Sequence, residues 1–349
     1  MGIDCSNAES ADLARLLHDH FPVTGIDHAF AYGSGVLPQP GLYPGGGSEA
    51  PMVDLLFIVR EPINWHAANM SLNPHHYAMP MSILGPSAID WASKHIGSGV
   101  YFNAMVDLPA SGAGAKGPGG VRIKYGVASF DSVRRDLVDW SSLYIAGRMH
   151  KPVKTLLEDQ RILEAQEQNL SSAVRTAILL LLERHGVGRG RAKEASFSTS
   201  QLFHTICALS YTGDIRVGIA EDARKVDRIL DGSGDRLLDM YRPILEREVA
   251  RGTMTFEPSG EGRSDGGLGA ASLGSHGSRF QVSLPHTDGL LASLPTALRR
   301  RMSEQGCTLR SALVSTVRRS SARQAALGIL SAGPAKAAFY VFQKLKKLR

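Results

Sequence analysis

Residues 28–59 constrain the fold of this chain more than any other stretch. A short apolar strand predicted over 29–31 runs into the turn Gly33-Ser34-Gly35, and a second apolar strand is predicted over Val53–Val59. Asp54 is the single carboxylate of that second strand. Glycine lets backbone N–H groups approach phosphate oxygens without a Cβ in the way, and a strand-borne carboxylate suits the Mg²⁺ that accompanies a triphosphate. The pattern predicts a nucleoside triphosphate site.

A strand, a Gly-Ser turn and a second strand with an acid at its start are typical of polymerase-β-like nucleotidyltransferases. These proteins usually carry two aspartates one residue apart, but Met52 and Leu56 stand at the corresponding positions here. We therefore expect the second metal ligand elsewhere and favour Asp136. A solvated charge on a helix face is the competing interpretation of Asp136, and the remaining candidates are Asp107 and Glu61.

Size and composition exclude several classes of protein. The chain has 349 residues, of which 43% are hydrophobic, enough for two domains with a large core. No apolar run approaches eighteen residues, so we expect no transmembrane helix. Three cysteines lie far apart, which argues against a disulfide framework. The segment 1–21 holds one arginine and four acids, a poor match to a mitochondrial presequence.

Charge is distributed unevenly along the chain. The net charge is +6, but residues 299–349 carry twelve Lys/Arg and one acid, which leaves −5 for residues 1–298. Within 335–349, alanine, phenylalanine and leucine recur at three- and four-residue spacing between lysines. This pattern predicts a basic amphipathic helix that lies in an anionic membrane interface, although charge alone leaves nucleic acid open as a partner.

The order of predicted elements indicates an α+β fold. Residues 1–165 show the order α-β-β-α-β-β-α, and residues 166–255 show helical patterns. A Gly/Ser-rich linker is predicted over 256–282, followed by a basic C-terminal region over 283–349. The clearest helix begins near residue 131, with one apolar stripe formed by Val133, Leu137, Trp140 and Tyr144. Further helices are predicted over 199–210, 221–230 and 235–250.

Several segments in one order resemble the mitochondrial translocator assembly and maintenance family, whose members are CTP:phosphatidate cytidylyltransferases. The segments are AFAYGSGV (29–36), MVDLLFIV (52–59), NWHAANMSLNPHHYA (64–78), GVYFN (99–103), IKYGV (123–127), DLVDWSSLYIAGRMHKPVK (136–154), LSYTGDIR (209–216) and SARQAALGILSAGPAKAAFY (321–340). The likeness runs from about residue 20 to the C-terminus, with breaks mainly at 105–120 and 255–285.

The resemblance implies a nucleotidyltransferase domain followed by a helical, winged-helix-like domain. It implies a Mg²⁺-dependent enzyme, peripheral on the matrix face of the mitochondrial inner membrane, that converts phosphatidate and CTP to CDP-diacylglycerol and pyrophosphate for cardiolipin synthesis. Nucleic acid is not an expected partner, and the oligomeric state is left open.

The resemblance also favours a functional role for the basic residues near the predicted site. Lys124 is a candidate catalytic residue, and Arg148 and Lys151 are candidate nucleotide ligands, although surface charge at a helix end is the plainer interpretation. The candidates for the lipid phosphate are His66, His76 and Lys154.

Other motifs do not support a different chemistry. The spacing of His66, His75 and His76 fits no zinc motif. The segment 112–117 matches GxGxxG, but no helix is predicted after it, so a dinucleotide site is rejected. Two rival functions stay open: a nucleotidyltransferase acting on RNA or a small molecule, and a non-catalytic scaffold for inner-membrane import.

Overall fold

The computed structural model describes most of the chain, and at 5–12 and 332–347 it describes the backbone alone. The described ranges are 5–37, 52–109, 120–187, 194–218, 222–257, 279–283 and 287–347. Three interpretations of the sequence lie outside these residues, namely the rejected GxGxxG segment 112–117, most of the predicted linker, and the side chains of the basic terminus.

The described elements alternate between strands and helices in the first half of the chain. The strands are β1 (Ile26–Tyr32), β2 (Val53–Val59), β3 (Val100–Leu108), β4 (Val121–Ser129), β5 (Lys154–Leu157), β6 (Glu194–Ser198), β7 (Thr255–Glu257) and β8 (Arg279–Ser283). The helices are α1 (Cys5–His20), α2 (Pro62–Leu72), α3 (Met81–His95), α4 (Phe130–Asp139), α5 (Ala146–Met149), α6 (Gln160–Arg184), α7 (Thr199–Ala208), α8 (Lys225–Ala250), α9 (Thr287–Ala292), α10 (Thr296–Gln305) and α11 (Leu309–Lys347). A 3₁₀ turn covers Pro74–His76.

The larger sheet has five strands in the order β3-β4-β2-β1-β5, and β2 and β4 are its parallel pair. Successive side chains on a strand point to opposite faces of the sheet, so neighbouring residues belong to different hydrophobic clusters. Leu56 and Ile58 of β2 join the cluster beneath α4 and α6. Leu55 and Phe57 join the cluster on the other face, with Trp65 of α2. The sheet is therefore a mixed, two-faced layer, which confirms the α+β class.

A smaller antiparallel sheet lies in the second half of the chain, in the order β6-β8-β7. It accompanies α6, α7 and α8, and Phe197 and Phe280 of its strands are fully buried. The sequence predicted helices over 166–255 and a linker over 256–282, and it missed these three strands. They are short and lie at the edges of polar, glycine-rich stretches, so local periodicity does not reveal them.

The last helices pack into the fold instead of forming a separate tail. Leu298, Leu313 and Val317 are buried in the same cluster that contains the sheet residues Phe30 and Leu56. Because one cluster spans both halves, the predicted division into domains stays a prediction. Within the residues that the structure describes, no helix has the length and apolar character that crossing a bilayer requires.

Helix boundaries agree with the sequence in most of the larger elements. The predicted helix over 199–210 is α7, and the predicted helices over 221–230 and 235–250 are joined as α8 across a non-helical residue, Ser233. The apolar stripe predicted to continue from α4 to Tyr144 instead ends at Trp140, which adopts a left-handed conformation with φ 54°. Tyr144 is therefore placed by the following loop and not by the helix.

Candidate active site

Asp54 and Lys124 lie opposite each other on the parallel strands β2 and β4. Lys124 Nζ is 3.9 Å from Asp54 Oδ1, and the two side chains are 20% and 25% exposed. Parallel register places both on the face that carries Leu56. The two groups that the sequence placed in the catalytic machinery are therefore adjacent and accessible to a ligand.

The glycine turn approaches the same carboxylate. Gly33 has φ +84°, and a Cβ built on it would lie 3.3 Å from Asp54 Oδ2. A side chain there would crowd the carboxylate and strain the backbone. The carbonyl of Gly33 accepts hydrogen bonds from the N–H groups of Val36 (3.2 Å) and Leu37 (2.9 Å), which fold residues 33–37 into a compact turn. Ser34 and Gly35 lie within this turn, so all three predicted phosphate-binding residues border Asp54.

Arg148 extends the site on the side of β1. Its guanidinium lies 3.8 Å from the ring centroid of Tyr144 and 5.6 Å from that of Tyr32, and it donates a hydrogen bond to the Tyr144 carbonyl. Tyr32 is the register partner of Asp54 on β1. Arg148 is thus held by two aromatic rings directly beside the strand pair that carries the acid.

Lys151 reaches the same region from the end of α5. It donates a hydrogen bond to Ser210 Oγ at 2.8 Å, and its Nζ lies 4.9 Å from the ring centroid of Tyr211. Gly147 permits this contact between α5 and the segment after α7, because a Cβ on it would be 2.3 Å from Ser210 Cβ. The glycine allows elements some sixty residues apart to share one wall of the site.

Arg216 belongs to the site, although the sequence did not single it out. It forms a two-point ion pair with Asp214, with Nη2 2.6 Å and Nε 3.0 Å from the carboxylate oxygens. Its charge acts on the phenol of Tyr144 together with those of Arg148 and Lys124. The available signal was its position at the end of the motif LSYTGDIR, but nothing local relates that motif to a strand ninety residues earlier.

The pKa of Tyr144 reflects the charges that surround its phenol. Burial alone raises the pKa of its phenol, but the cations Arg148, Arg216 and Lys124 outweigh burial and lower it below its ordinary value. The pKa of Tyr32 is raised to about 12, first by burial and then by the charge of Asp54. The site therefore concentrates positive charge, and its carboxylates are Asp54, beside Lys124, and Asp214, which is paired with Arg216.

Lys151 responds to the same accumulation of charge. Burial lowers its pKa most, to about 8, and repulsion from Arg148 and Lys225 acts in the same direction against the opposing effect of Cys207. An anion that binds next to Lys151 favours the protonated amine and raises its pKa again. Lys124 lies next to Asp54, Arg148 and Arg216 act with it on Tyr144, and Lys151 is repelled by Arg148. Four cations from three separate segments thus form one cluster, which suits a polyphosphate.

Comparison with known proteins is consistent with this geometry. The model of the family described as mitochondrial phosphatidate cytidylyltransferase matches residues 13–308. The protein of that name from Mus musculus is 34% identical over an alignment that covers 100% of this chain and 97% of the relative. The one from Bos taurus is 33% identical over 96% and 93%. The one from Drosophila melanogaster is 37% identical over 67% and 65%.

This chain belongs to the mitochondrial phosphatidate cytidylyltransferase family. The family match includes every residue described above, from the turn at Gly33 to the cation Arg216. The family resemblance expected from the sequence motifs is therefore confirmed.

In this member of the phosphatidate cytidylyltransferase family, the surroundings of Asp136 are not those of a metal ligand. It is 3% exposed, and its two oxygens accept six hydrogen bonds from the loop that follows α4. Four of the donors are the backbone N–H groups of Ser142, Leu143, Ile145 and Ala146, at 2.7–3.0 Å. The carboxylate therefore organises the loop that positions Tyr144 and Arg148, and it is not kept as a metal ligand.

The other two acids considered as second ligands do not adjoin Asp54 either. Asp107 is 67% exposed and forms an ion pair with Arg122 at 2.7 Å on the outer strand pair. Glu61 follows the far end of β2, about 20 Å along the strand from Asp54 at 3.3 Å per residue. Across the described ranges, no group of three or more histidine, cysteine or carboxylate side chains is arranged to hold a metal. Of the acids considered from the sequence, Asp54 is thus the one that lies beside a cation of the site.

His66 and His76 lie on the opposite face of the sheet from Asp54. His66 shares a hydrogen bond of 2.9 Å with the hydroxyl of Tyr77, and His76 shares one of 2.9 Å with the hydroxyl of Tyr125. Tyr125 directly follows Lys124 on β4, so the Tyr125 side chain projects to the opposite face, away from the site. Burial lowers the pKa of His66 to about 3 and, as the largest cause, that of His76 to about 4. Both are neutral core residues, which argues against the predicted role in binding a lipid phosphate.

Lys154 begins β5 and pairs in register with Ala31 of β1, one residue away from Tyr32. Ala31 belongs to the cluster on the face that contains Phe57, not the face that carries Asp54. The structure thus brings together Gly33, Ser34, Gly35, Asp54, Lys124, Arg148 and Lys151, and it leaves His66, His76, Asp136 and Lys154 outside that group.

Proposed function

We propose that this chain transfers a cytidylyl group from CTP to phosphatidate and releases pyrophosphate. A phosphate oxygen of phosphatidate forms a bond to the α-phosphorus of CTP, and the bond from that phosphorus to the oxygen bridging to the β-phosphate breaks. The products are CDP-diacylglycerol and pyrophosphate. The observation that carries the proposal is Asp54 next to both the Gly33 turn and Lys124, in a chain of this family.

The nucleophile sets the requirements of the site. A phosphate monoester is already an anion, so the reaction needs alignment and neutralisation of charge more than a general base. Lys124, Arg148, Lys151 and Arg216 supply positive charge from one side of the strand pair. Their positions are fixed in advance by ring contacts and hydrogen bonds, so little reorganisation accompanies charge transfer to the leaving pyrophosphate.

Mg²⁺ is the expected cofactor, and Asp54 is its proposed protein ligand. Magnesium in nucleotide enzymes is often held by one or two carboxylates, with substrate phosphates and water completing the octahedron, so a single acid fits. The carboxylate is 25% exposed and borders the phosphate-binding turn, as such a role requires. When bound, the metal neutralises charge on the triphosphate as pyrophosphate departs.

The fold supports finer assignments as parts of the same proposal. The mixed sheet with its Gly-Ser turn between β1 and β2 supports a polymerase-β-like nucleotidyltransferase domain. Helices α6, α7 and α8 with the sheet β6-β8-β7 support a winged-helix-like second domain. In this arrangement, the second domain contributes Arg216 and Ser210 to a site built mainly by the first.

The proposed location is the matrix face of the mitochondrial inner membrane, where the product feeds cardiolipin synthesis. The backbone is helical as far as Lys347, which supports the predicted basic amphipathic helix as a peripheral membrane anchor. Changing Lys344, Lys346 and Lys347 to glutamine is expected to weaken binding to anionic vesicles most strongly at low salt. Unchanged binding at low salt would contradict this anchor.

One turnover experiment separates the proposed function from its rivals. Purified protein is incubated with labelled CTP, Mg²⁺ and vesicles containing phosphatidate, with RNA and water-soluble phosphomonoesters offered in parallel. Labelled CDP-diacylglycerol that is formed only with metal supports the proposal. Product on RNA or a small molecule alone would indicate another acceptor, and CTP binding without any product would indicate a scaffold.

A further inference from the structure

An apolar turn projects from the fold between α2 and the second half of α3. Met79, Ile83 and Leu84 are 60%, 73% and 59% exposed, and Trp91 on the helix that follows is 55% exposed. Among the described residues, nine large apolar side chains are exposed, and four of them fall within these thirteen positions. Single exposed apolar residues are ordinary, whereas this concentration in one short stretch of the chain points to an interaction surface.

The turn is held rigidly although its outer side chains are exposed. Met81, in its middle, is 3% exposed and packs in a cluster with Tyr77 and Tyr101. Gly85, with φ 82° and ψ −176°, interrupts α3 so that a new helical run starts at Pro86. The result is an anchored protrusion, in which one side chain faces the core while its neighbours face outward.

Polar and basic groups border the exposed tryptophan. The ring of Trp91 stacks on that of His95 with centroids 5.0 Å apart, and Lys94 pairs with Asp90 at 2.8 Å. Arg323 of α11 donates hydrogen bonds to the carbonyls of Lys94 and His95. Apolar side chains, a tryptophan and a basic border occur together at membrane interfaces, where tryptophan sits at the level of the headgroups.

The C-terminal helix leaves the fold next to this turn. Leu327 of α11 is fully buried in the cluster that holds Met81, and Leu330 packs against the same cluster. The segment predicted to bind membranes is the continuation of this helix. The apolar turn therefore lies close to the point where the predicted anchor departs.

We propose that the apolar turn, defined as Met79, Ile83, Leu84 and Trp91, inserts into the bilayer that contains the lipid substrate. This inference rests on the proposed function, because phosphatidate resides in a bilayer and its headgroup must reach Asp54. The turn supplies the apolar part of membrane attachment, and the basic helix supplies the electrostatic part.

The tryptophans allow insertion to be observed directly. The chain has three, and Trp65 and Trp140 are buried, with 4% and 0% exposure, so Trp91 alone is available to lipid. On adding vesicles of phosphatidylcholine and phosphatidate, the emission is expected to shift to the blue and to be quenched by brominated acyl chains. Both signals should vanish in Trp91→Phe. An unchanged spectrum in the presence of bound vesicles would overturn the proposal.

A second experiment measures the energetic contribution of the turn. The double variant Ile83→Ser/Leu84→Ser is expected to bind the same vesicles at least about tenfold more weakly, with the deficit retained at high salt. Turnover on vesicle phosphatidate should fall in parallel, while turnover on monomeric short-chain phosphatidate and CTP affinity stay unchanged. Leu291→Ser, on α9 and 38% exposed, is the matched control and should bind vesicles like the parent protein.

The outcomes distinguish this inference from the proposed function. Equal vesicle binding by the double variant and the parent overturns membrane insertion. Loss of concentration-dependent self-association in the double variant, without loss of vesicle binding, would identify a second copy of the chain as the occupant and would also overturn it. A protein that inserts Trp91 but turns over no form of phosphatidate would retain this inference and refute the proposed reaction.

Discussion

Lys124 Nζ and Asp54 Oδ1 are 3.9 Å apart on adjacent parallel strands, with Gly33 on the other side of the carboxylate. The distance is longer than a good hydrogen bond, so the pair is close enough for attraction and loose enough for a cation to enter. In the proposed reaction, a metal that accompanies the triphosphate would take the place of the lysine beside this carboxylate.

Asp54→Asn is expected to reduce metal-dependent turnover by about a hundredfold or more, because several kcal/mol of charge stabilisation by the metal are lost. CTP affinity without metal should change much less, since the cations remain. The measurement is turnover across a Mg²⁺ titration. Asp107→Asn is the matched control, as it removes an exposed strand carboxylate that is paired with Arg122. Equal loss in both variants would contradict the assignment.

Asp136→Asn is expected to destabilise the fold by about 3 kcal/mol, because buried hydrogen bonds to a charged acceptor are among the costliest to weaken. Six donors converge on this carboxylate, and an amide cannot accept from all of them. Urea denaturation measures the effect. Asp139→Asn, on the same helix, should shift the midpoint little. A variant of normal stability that had lost Mg²⁺ binding would restore Asp136 as a metal ligand.

These two aspartates show what the sequence can and cannot reveal. Asp54 was recognisable because a lone acid in an otherwise apolar strand and a nearby glycine turn are local signals. The surroundings of Asp136 could not be predicted, because its six hydrogen-bond donors lie in the loop after α4 and at the start of α5. The left-handed residues of that loop, Trp140 and Leu143, have no sequence signature. The fold of that loop depends on the carboxylate itself, so pattern reasoning registered only a helix with an acid.

The remaining differences between prediction and structure come from contacts between residues that are far apart in the sequence. His66 and His76 were candidates for binding the lipid phosphate. The sequence does not reveal which face of the sheet their segment covers, because that depends on tertiary packing. Arg216 joins the site because Gly147 lets α5 approach Ser210 closely. The strands β1, β2, β3 and β4 were predicted, since each is either mainly apolar or alternates apolar with polar residues, and each is bounded by turn residues.

Arg216→Gln is expected to raise the KM for CTP and to lower kcat by about tenfold each, because one of four converging charges is lost. Asp214 would then lack its partner, so the control is Asp214→Asn, which frees the arginine while keeping its charge. Steady-state kinetics with varied CTP measures both parameters. If Arg216 only stabilises its loop, the two variants should behave alike and thermal stability should fall with activity.

The charge of Lys151 gives a prediction for pH. Its pKa is lowered to about 8, so in the free enzyme the cation is present below pH 8 and is lost as pH rises through that value. We expect kcat/KM for CTP to fall above pH 8. The fall in kcat should come at higher pH, because bound phosphates favour the charged form. Lys151→Arg should abolish the dependence, and a parent-like profile in that variant would contradict this origin.

The buried histidines predict a loss of stability in acid. Burial lowers the pKa of His66 to about 3, below the ordinary value of 6.5, so the unfolded chain binds a proton between these values that the folded protein does not. Stability from this residue is present above pH 6.5 and is lost as pH falls towards 3, with a slope of up to about 1.4 kcal/mol per pH unit. Urea denaturation of His66→Gln between pH 7 and 5 should show a shallower decline than the parent protein. His75→Gln, the exposed neighbour in the same motif, is the control. A decline as steep in His66→Gln as in the parent would show that this histidine is protonated in the folded core.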